Sequence, residues 1–558
     1  MNEMNVMNDT LLVIPLGGLE EIGGLNMMVI QYGETIIVVD AGLMFPEEDM
    51  LGIDFVIPDF SYLVENREKV KAIIITHGHE DHTGALPFLL KAVPAPLYAT
   101  PLTLGLIKDK LREYDIEAEM HPVRPREKIS VGPFEVEFVR VTHSIVDGVG
   151  LGITTPLGRL VHTGDFKVDP TPVDGELLDF HRFAQYGEQN TLLLMSDSTN
   201  AEKGGFTFSE KEVRRAFEDI FVTAKGRIII STFASNIHRM QQAIDVAVMF
   251  GRKVILAGRS VVGNAQIALD LGYLKIPRET WLKLEDLKGL EDDKVVIITT
   301  GSQGEPMSVL SRIATDEHKQ IKIKEGDTVV LSAKIIPGNE RPIGRIVNHL
   351  CRRGANVIYE KVSDIHVSGH ASKEELKLML NLVRPRYFVP LHGEYRQRAT
   401  HAGLALKLGI PKENIFMLDN GDVLEIRPEE ARCAGKVDSG RVFIDGRGGP
   451  GGVEEIVLRD RMRLAHDGVV IVLVGVEKLT GSIVSGPDVI SRGFIFEDAS
   501  PELIADVKEY MSGIIGALDK EVIADRALLQ ARIRSALKKY LRNVLDRRPL
   551  IMPIIMEV

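Results

Sequence analysis

Residues 75–84 read ITHGHEDHTG. The six positions from His77 to His82 hold three histidines, one aspartate and one glutamate, side chains that are costly to bury without partners. The stretch before them, KAIIIT (71–76), reads as a buried β-strand, and the stretch after them, GALPFLLKAV (84–93), as the start of an amphipathic helix. The polar cluster therefore falls on the turn at a strand's C-terminal end, where α/β folds place ligands.

The same punctuation recurs on either side. Between Leu11 and about residue 195, strand-like TIIVVDAG (35–42), FEVEFVRVTHS (134–144) and GRLVHTGD (158–165) alternate with short helical patterns. They end on Asp40, His143 and Asp165, as AIIIT (72–76) ends on His77. The texture then changes. SEKEVRRAFEDIF (209–221) has Ser209 and Glu212 at the spacing of a capping box. After it, GRIIIST (226–232), RKVILAG (252–258), DKVVIITTG (293–301) and DTVVLSA (327–333) alternate with helical segments, the rhythm of a parallel sheet covered by helices. SKEELKLMLNLVRP (372–385) reads as a capped helix leading into YFVPLHGE (387–394), another strand that ends on a histidine, His392. GGPGG (448–452) reads as a linker. Beyond it, strands near 453–475, a helix start at Ser500–Glu502 and a basic helix around 526–546 predict a further unit. On that last helix Ile533, Leu537, Tyr540, Leu541 and Val544 fall at helical spacing, so its basic face is expected to be solvated and its apolar face packed on its own domain.

At ~150 residues per domain, 558 residues predict three or four domains. The formal net charge of −12 excludes bulk charge as a means of holding nucleic acid; such contact would need a local basic lining or metal ions. Two widely separated cysteines, Cys351 and Cys433, exclude a disulfide framework and fit a reducing cytoplasm. The longest aliphatic runs, such as VVIVLVGV (469–476), fall far short of the ~18 residues that suggest a membrane span. MNEMNVMNDT at the start lacks the positive segment of a secretory leader. The expected location is cytoplasmic, with no membrane partner.

Imidazole and carboxylate together suit Zn2+ or Mn2+. Gly78 is expected to bend the turn so that His77 and His79 face one ion, leaving Asp81 and His82 at the helix start for a second. His143, Asp165 and His392, each at a strand end, are the further donors, and Asp165 can bridge two ions through its two oxygens. A lone histidine such as His143 is more often a satisfied polar residue; the company of HGHEDH reverses that reading. His121, His181, His318, His401 and His466 have no such context.

THGHEDHTGALP (76–87) resembles the signature of the metallo-β-lactamase superfamily. The fold this implies is an α/β, αββα sandwich in which Asp40, His77, His79, Asp81, His82, His143, Asp165 and His392 match motif positions. Compact members reach their last histidine soon after the bridging aspartate; here the βαβα block intervenes, which implies an inserted domain. SDSTN (196–200) and HVSGHAS (366–372) resemble motifs of the β-CASP nucleases. With TFASNIHR (232–239), TGSQGEP (301–307), LHGEYR (391–396), VLRDR (457–461) and RRPLIMPIIMEV (547–558), the chain from residue 11 onward resembles the bacterial ribonuclease J family. One departure is GGLEEIGGLNMM (17–28), with Glu20 where that family usually has a small residue.

The resemblance implies a metallo-β-lactamase domain over 1–208 and 366–447, an inserted β-CASP domain over 209–365, a linker over 448–464 and a small C-terminal α+β oligomerisation domain over 465–558. It implies a 5′-to-3′ exonuclease preferring 5′-monophosphorylated single-stranded RNA, with endonuclease activity, in RNA decay and processing. Hydrolysis would use a hydroxide bridged by two Zn2+ or Mn2+ ions. Asp197 and His370 would transfer protons, His366, Val367, Ser368, Gly369 and His370 would bind substrate phosphate, and Asp40 would orient a ligand histidine. Gly52, Asp54 and Asp445 would hold a structural Ca2+. A homodimer or homotetramer and RNA-decay protein partners complete the expectation. Two alternatives stand beside it. A DNA-directed β-CASP nuclease differs only in contacts to the 2′-OH. A non-catalytic RNA-decay scaffold would have lost metal ligands, and here all are present.

Overall fold

A computed structural model places residues 10–47, 49–305, 307–335, 339–359, 365–446, 452–477, 480–494 and 501–558. They divide into two compact units, Met1–Phe45 with Phe55–Val442, and Pro46–Asp54 with Phe443–Val558.

The first unit is built on two sheets whose apolar faces meet. One has eight strands in the order Ala431–Lys436, Asp422–Ile426, Leu11–Gly17, Met27–Tyr32, Thr35–Val39, Val70–Ile74, Leu97–Ala99, Met120–Pro122. The other has six, in the order Tyr387–Leu391, Thr191–Asp197, Gly158–His162, Val149–Thr155, Phe134–Arg140, Lys128–Val131. Val13, Ile30, Ile37 and Ile74 of the first sheet share a core with Val136, Phe138, Leu151, Leu193 and Val389 of the second. Outside the second sheet, the helices Phe180–Glu188 and Lys373–Val383 close another apolar layer over Val161, Leu194 and Phe388. This is the expected αββα sandwich.

The inserted domain is a third sheet, all parallel, ordered Trp281–Leu282, Lys253–Ala257, Val295–Thr299, Ile228–Ser231, Thr328–Leu331, Asn356–Ile358. Strands buried on both faces read as continuous apolar runs, which is why IIIS and VVIIT show no alternation. Ile228 and Ile230 pack on one layer of helices with Met240 and Ile244, while Ile229 packs on the opposite layer with Leu310 and Ile343. The expected capping box at the start of this domain does not form. The helix begins at Lys211, and the Ser209 hydroxyl donates to the Thr171 carbonyl (3.0 Å). Glu210, drawn inward to Arg239, stands at the N-cap position, and no side chain caps the helix there. At Ser372 the capping box does form: its N–H donates to Glu375 Oε2 (2.7 Å).

The second unit carries a three-stranded sheet with Val469–Val476 in the middle, antiparallel to Ile483–Arg492 and parallel to Leu550–Glu557. The basic helix Arg526–Leu545 buries Leu529, Ile533, Leu537 and Leu541 against it; Val544 is exposed. The strands expected near 453–475 and the linker expected to 464 are corrected together. Residues Glu455–Asp467 form a helix, ended by Gly468 at φ +70, because glycine and proline are absent between Gly452 and that cap. Residues 448–451 of the linker and Ser500 of the expected helix start lie outside the described residues.

Candidate metal centre

The centre sits on strand ends. Val70–Ile74 runs into Thr76 and His77, and His79 then caps a one-turn helix, Glu80–Thr83, that presents Asp81 and His82. His143 follows Phe134–Arg140, and Asp165 follows Gly158–His162. Leu391 pairs with Asp197 in parallel register, so the chain returns from the insertion with His392 beside Asp197. Gly78 has no positive φ, so the expected backbone bend is not what places glycine there; a Cβ would stand 2.8 Å from Leu106 Cδ1, a contact that a shift of that side chain relieves. Gly42 is stricter, since a Cβ would fall 1.6 Å from the Asp81 carbonyl oxygen. Asp40 (φ +64) and His392 (φ +50) both adopt the left-handed conformation that non-glycine residues avoid, strain of a kind that clusters at functional sites.

Two clusters of donors face one aspartate. His77, His79 and His143 form the first: His79 Nδ1 lies 3.0 Å from His77 Nε2 and 3.2 Å from His143 Nε2. Asp81, His82, Asp165 and His392 form the second, with His82 Nε2 and His392 Nε2 at 3.6 and 3.4 Å from Asp81 Oδ2. Asp165 Oδ2 stands 3.3 Å from His82 Nε2, 3.6 Å from His392 Nε2, 3.8 Å from His77 Nε2 and 3.9 Å from His143 Nε2. A single oxygen thus faces both clusters, where the sequence had suggested one oxygen for each. A tetrahedral ion with ligands at ~2.1 Å separates its donors by ~3.4 Å, so these spacings fit Zn2+.

The outer shell fixes the tautomers. His77 Nδ1 is 3.1 Å from Thr76 Oγ1, whose own proton goes to Asp40 (2.9 Å). His143 Nδ1–H donates to the Gly369 carbonyl (2.8 Å). His392 Nδ1 is 2.6 Å from Thr199 Oγ1, which donates to Asp197 Oδ1 (2.8 Å). His82 Nδ1 meets Asp40 Oδ2 at 2.7 Å. Each imidazole so held points Nε2 inward, where a cation can take it once any proton there has been displaced. Burial holds the pKa of His77 and His143 well below the usual histidine range and brings His79 to about 4. Burial opposes charge on His82 and His392 too, but carboxylates led by Asp165 outweigh it, raising His82 and bringing His392 to about 9. Asp165 is buried, yet His392 and His82 keep its carboxyl well below the usual range.

Beside the clusters, His370 Nδ1 is 2.8 Å from Asp197 Oδ2 and 3.9 Å from Asp165 Oδ2, and Asp165, Asp197, His370 and His392 form a third group of possible ligands. The 366–370 segment approaches so closely that a Cβ on Gly369 would lie 2.5 Å from His143 Cε1. The Ser368 hydroxyl accepts from Asn200 Nδ2 (2.8 Å). His366 is half-buried; burial and then the cations Arg239, Lys334, Lys167 and Lys203 push its pKa well down. Val367 is buried behind the segment.

Several site residues lie inside stretches quoted above but received no role from the sequence. Asn26 donates to the Asp81 carbonyl (3.0 Å). His162 accepts from the Gly164 N–H (3.0 Å), shaping the turn that delivers Asp165, and burial brings its pKa to about 4. Fully buried Arg239 donates to Glu210 Oε1 (2.7 Å), Ser332 O (2.9 Å) and Ile365 O (3.1 Å), anchoring the residue just before His366. Only the non-local packing reveals them.

In the second unit, Gly52 and Asp445 meet at a side chain the sequence did not implicate. Arg461 Nη1 donates to the carbonyls of Leu51 and Gly52 (3.1 Å each), and Nη2 lies 2.6 Å from Asp445 Oδ2. Asp54 Oδ2 accepts from the Gly446 N–H (2.7 Å). The Arg461 guanidinium occupies two of the three groups expected to hold Ca2+, Gly52 and Asp445, and a backbone N–H the third, Asp54, so this geometry lends that expectation no support.

Fold and donor set define a metallo-hydrolase of the metallo-β-lactamase superfamily with an inserted β-CASP domain. Residues 22–201 match that superfamily, 225–350 match "Ribonuclease J, beta-CASP domain", 354–417 match "Zn-dependent metallo-hydrolase RNA specificity domain" and 456–558 match "Ribonuclease J C-terminal domain". The chain is 45% identical to Ribonuclease J 1 of Streptococcus pyogenes serotype M3, over 98% of this chain and 97% of that one. It is 42% identical to Ribonuclease J2 of Bacillus subtilis (98% of each chain) and 42% identical to Ribonuclease J of Thermus thermophilus (98% and 95%). The chain belongs to the ribonuclease J family. A crystal structure of a protein of unknown function from Enterococcus faecalis V583 shares the fold, with TM-score 0.56 and 17% identity over 75% of this chain and 100% of that one.

Proposed function

We propose that this chain is a ribonuclease of RNA decay and processing that degrades 5′-monophosphorylated RNA from the 5′ end and also cuts internally. The observation that carries this reading is the pair of donor clusters meeting at Asp165 Oδ2, with the 366–370 segment packed against His143 and His370 bonded to Asp197 beside them. Two ions bound there would neutralise charge on a phosphodiester and activate a water for attack on phosphorus. Ligand roles follow the clusters: His77, His79 and His143 for one ion, Asp81, His82 and His392 for the other, Asp165 for both. His370, hydrogen-bonded to Asp197, is the group to protonate the leaving oxygen, with Asp197 orienting its ring. Ser368 and the backbone of the 366–370 segment would take the terminal phosphate.

The domain assignment follows the sequence for 1–208 and 366–447 (hydrolysis) and 209–365 (insertion); the assembly domain, expected over 465–558, also takes in the helix Glu455–Asp467 that this boundary would cut. Assembly as a homodimer or homotetramer is supported by the sheet of the second unit. Along Leu550–Glu557 the outward residues Met552, Ile554 and Met556 are as apolar as the inward Ile551 and Ile555, a pattern that suits burial on both faces. The deciding experiment digests end-labelled RNA and DNA bearing 5′-monophosphate, 5′-triphosphate or 5′-hydroxyl ends under Zn2+ and Mn2+. Faster release of nucleotides from 5′-monophosphorylated RNA is expected. Equal rates on all three ends would remove the end preference, and faster cleavage of DNA would favour the DNA-directed alternative.

A further inference from the structure

Single exposed apolar residues are ordinary on a protein surface. Two large aromatics within three residues, both turned to solvent on a rigid mount beside an active site, are not. Phe206 is 60% and Phe208 75% exposed, and Thr207 between them is half-buried. Thr207 faces inward: its Oγ1 donates to the His370 carbonyl (2.8 Å) and lies 2.9 Å from Ser372 Oγ, and its N–H donates to Glu375 Oε2 (2.7 Å). Further bonds lace the same strip to the start of the helix Lys373–Val383. Lys373 N–H donates to the Lys203 carbonyl (2.9 Å) and Glu374 N–H to the Gly205 carbonyl (3.2 Å). Glu375, fully buried, also accepts from Val168 N–H (2.7 Å). The aromatic strip is therefore fastened to the backbone of His370 and to the segment read above as the phosphate site.

We propose that Phe206 and Phe208 form a stacking platform for the bases of single-stranded RNA held at the metal centre. The inference rests on the nuclease reading and adds to it a base-contacting site. Aromatic faces accept any base, so a platform of this kind gives affinity without sequence preference. Residues two apart in an extended chain stand ~6.6 Å apart, far enough for each ring to take a different base. Charge is complementary in kind, because the exposed Lys203 lies on the same strip, three residues before Phe206. The lacing through Thr207 and Glu375 holds the rings in place before substrate arrives, which limits the ordering cost of binding.

The test is steady-state cleavage of single-stranded RNA by the full-length, metal-loaded chain, comparing wild type with Phe206→Ala, Phe208→Ala and the two Phe→Trp variants. A second substrate set is abasic at one nucleotide at a time from the 5′ end. Each alanine is expected to raise KM about 5- to 140-fold with a smaller change in kcat, and tryptophan to keep the wild-type KM. On RNA abasic at the stacked position, wild-type KM should rise to that of the alanine variant, and the variant should suffer no further penalty. Unchanged KM in both alanine variants overturns the proposal. So does an abasic penalty as large in the variants as in wild type, since the phenylalanines would then act through the fold. A change in oligomeric mass with unchanged KM would reassign the strip to chain–chain contact. If wild type cleaves no RNA at all, the nuclease reading itself falls, and that arm alone shows it.

Discussion

Replacing Asp40 by Asn isolates what the outer shell does for the ions. Asp40 is buried, accepts the Thr76 N–H at Oδ1 (2.8 Å) and meets His82 Nδ1 with Oδ2 (2.7 Å). Asn is the cleanest substitution because it is isosteric and tolerates the left-handed φ of +64 that Ala would resist. Thr76 N–H still needs an acceptor, so the amide oxygen takes the Oδ1 position and the amide NH2 faces His82 Nδ1. Two donors cannot share that contact. The imidazole proton moves to Nε2, the atom that stands 3.3 Å from Asp165 Oδ2 and must be bare to bind metal. Loss of such a partner typically costs 10- to 100-fold in metal affinity, or about 1.4–2.7 kcal/mol. The loss should fall mainly on the ion that His82 serves: the Thr76 hydroxyl loses Oδ2 as an acceptor but still lies 3.1 Å from the Oδ1 position, so His77 can keep its partner, and His79 and His143 have no contact with Asp40. Titration of metal-free protein against a competing chelator resolves the two affinities. Wild-type affinity at both sites, or a selective loss at the His77, His79 and His143 site, would refute this reasoning.

Other outcomes follow from the same geometry. Metal and proton compete for His392, whose pKa stands at about 9 in the metal-free protein, so loading should tighten by about tenfold per pH unit per proton displaced as pH rises toward 9, measured by isothermal titration. The sign for stability is opposite. Charged His392 stabilises the metal-free fold below about pH 6.5, the ordinary histidine value, and that contribution is lost as pH climbs through about 9. Gly369→Ala forces a methyl to 2.5 Å from His143 Cε1; an overpacking cost of about 1–3 kcal/mol in denaturant unfolding should accompany weaker metal binding at the first cluster. Arg239→Met leaves Glu210 buried without its cation and should cost about 3–5 kcal/mol, partly recovered by adding Glu210→Gln.

What could be read from the chain was whatever is local. HGHEDH, strand-end residues and the apolar runs of the inserted sheet are set by spacing and periodicity, so the candidate donors could be named in advance, while the αββα frame and its insertion were implied by the resemblance to the metallo-β-lactamase and β-CASP families. What escaped depends on contacts far apart in sequence. Asn26 reaches Asp81, Thr199 reaches His392, and Arg239 reaches Ile365 only once the sheets are assembled. At the Ser209 capping box the hydroxyl is turned to the Thr171 carbonyl, a partner distant in sequence, and Gly78 was expected to need a backbone bend that its φ does not show. The oxygens assigned to calcium met an arginine, since no local pattern shows which side chain will arrive from elsewhere.

Metal content beside single-turnover RNA cleavage tests the central claim most directly, in wild type, His392→Ala and His370→Ala. The account predicts two ions per chain and cleavage in wild type. It predicts loss of an ion together with activity in His392→Ala. In His370→Ala both ions should remain, with the rate down about 10²–10⁴-fold. Loss of an ion from His370→Ala while His392→Ala keeps both would reverse the two assignments. A wild-type chain without a stoichiometric pair would contradict the two-ion centre itself.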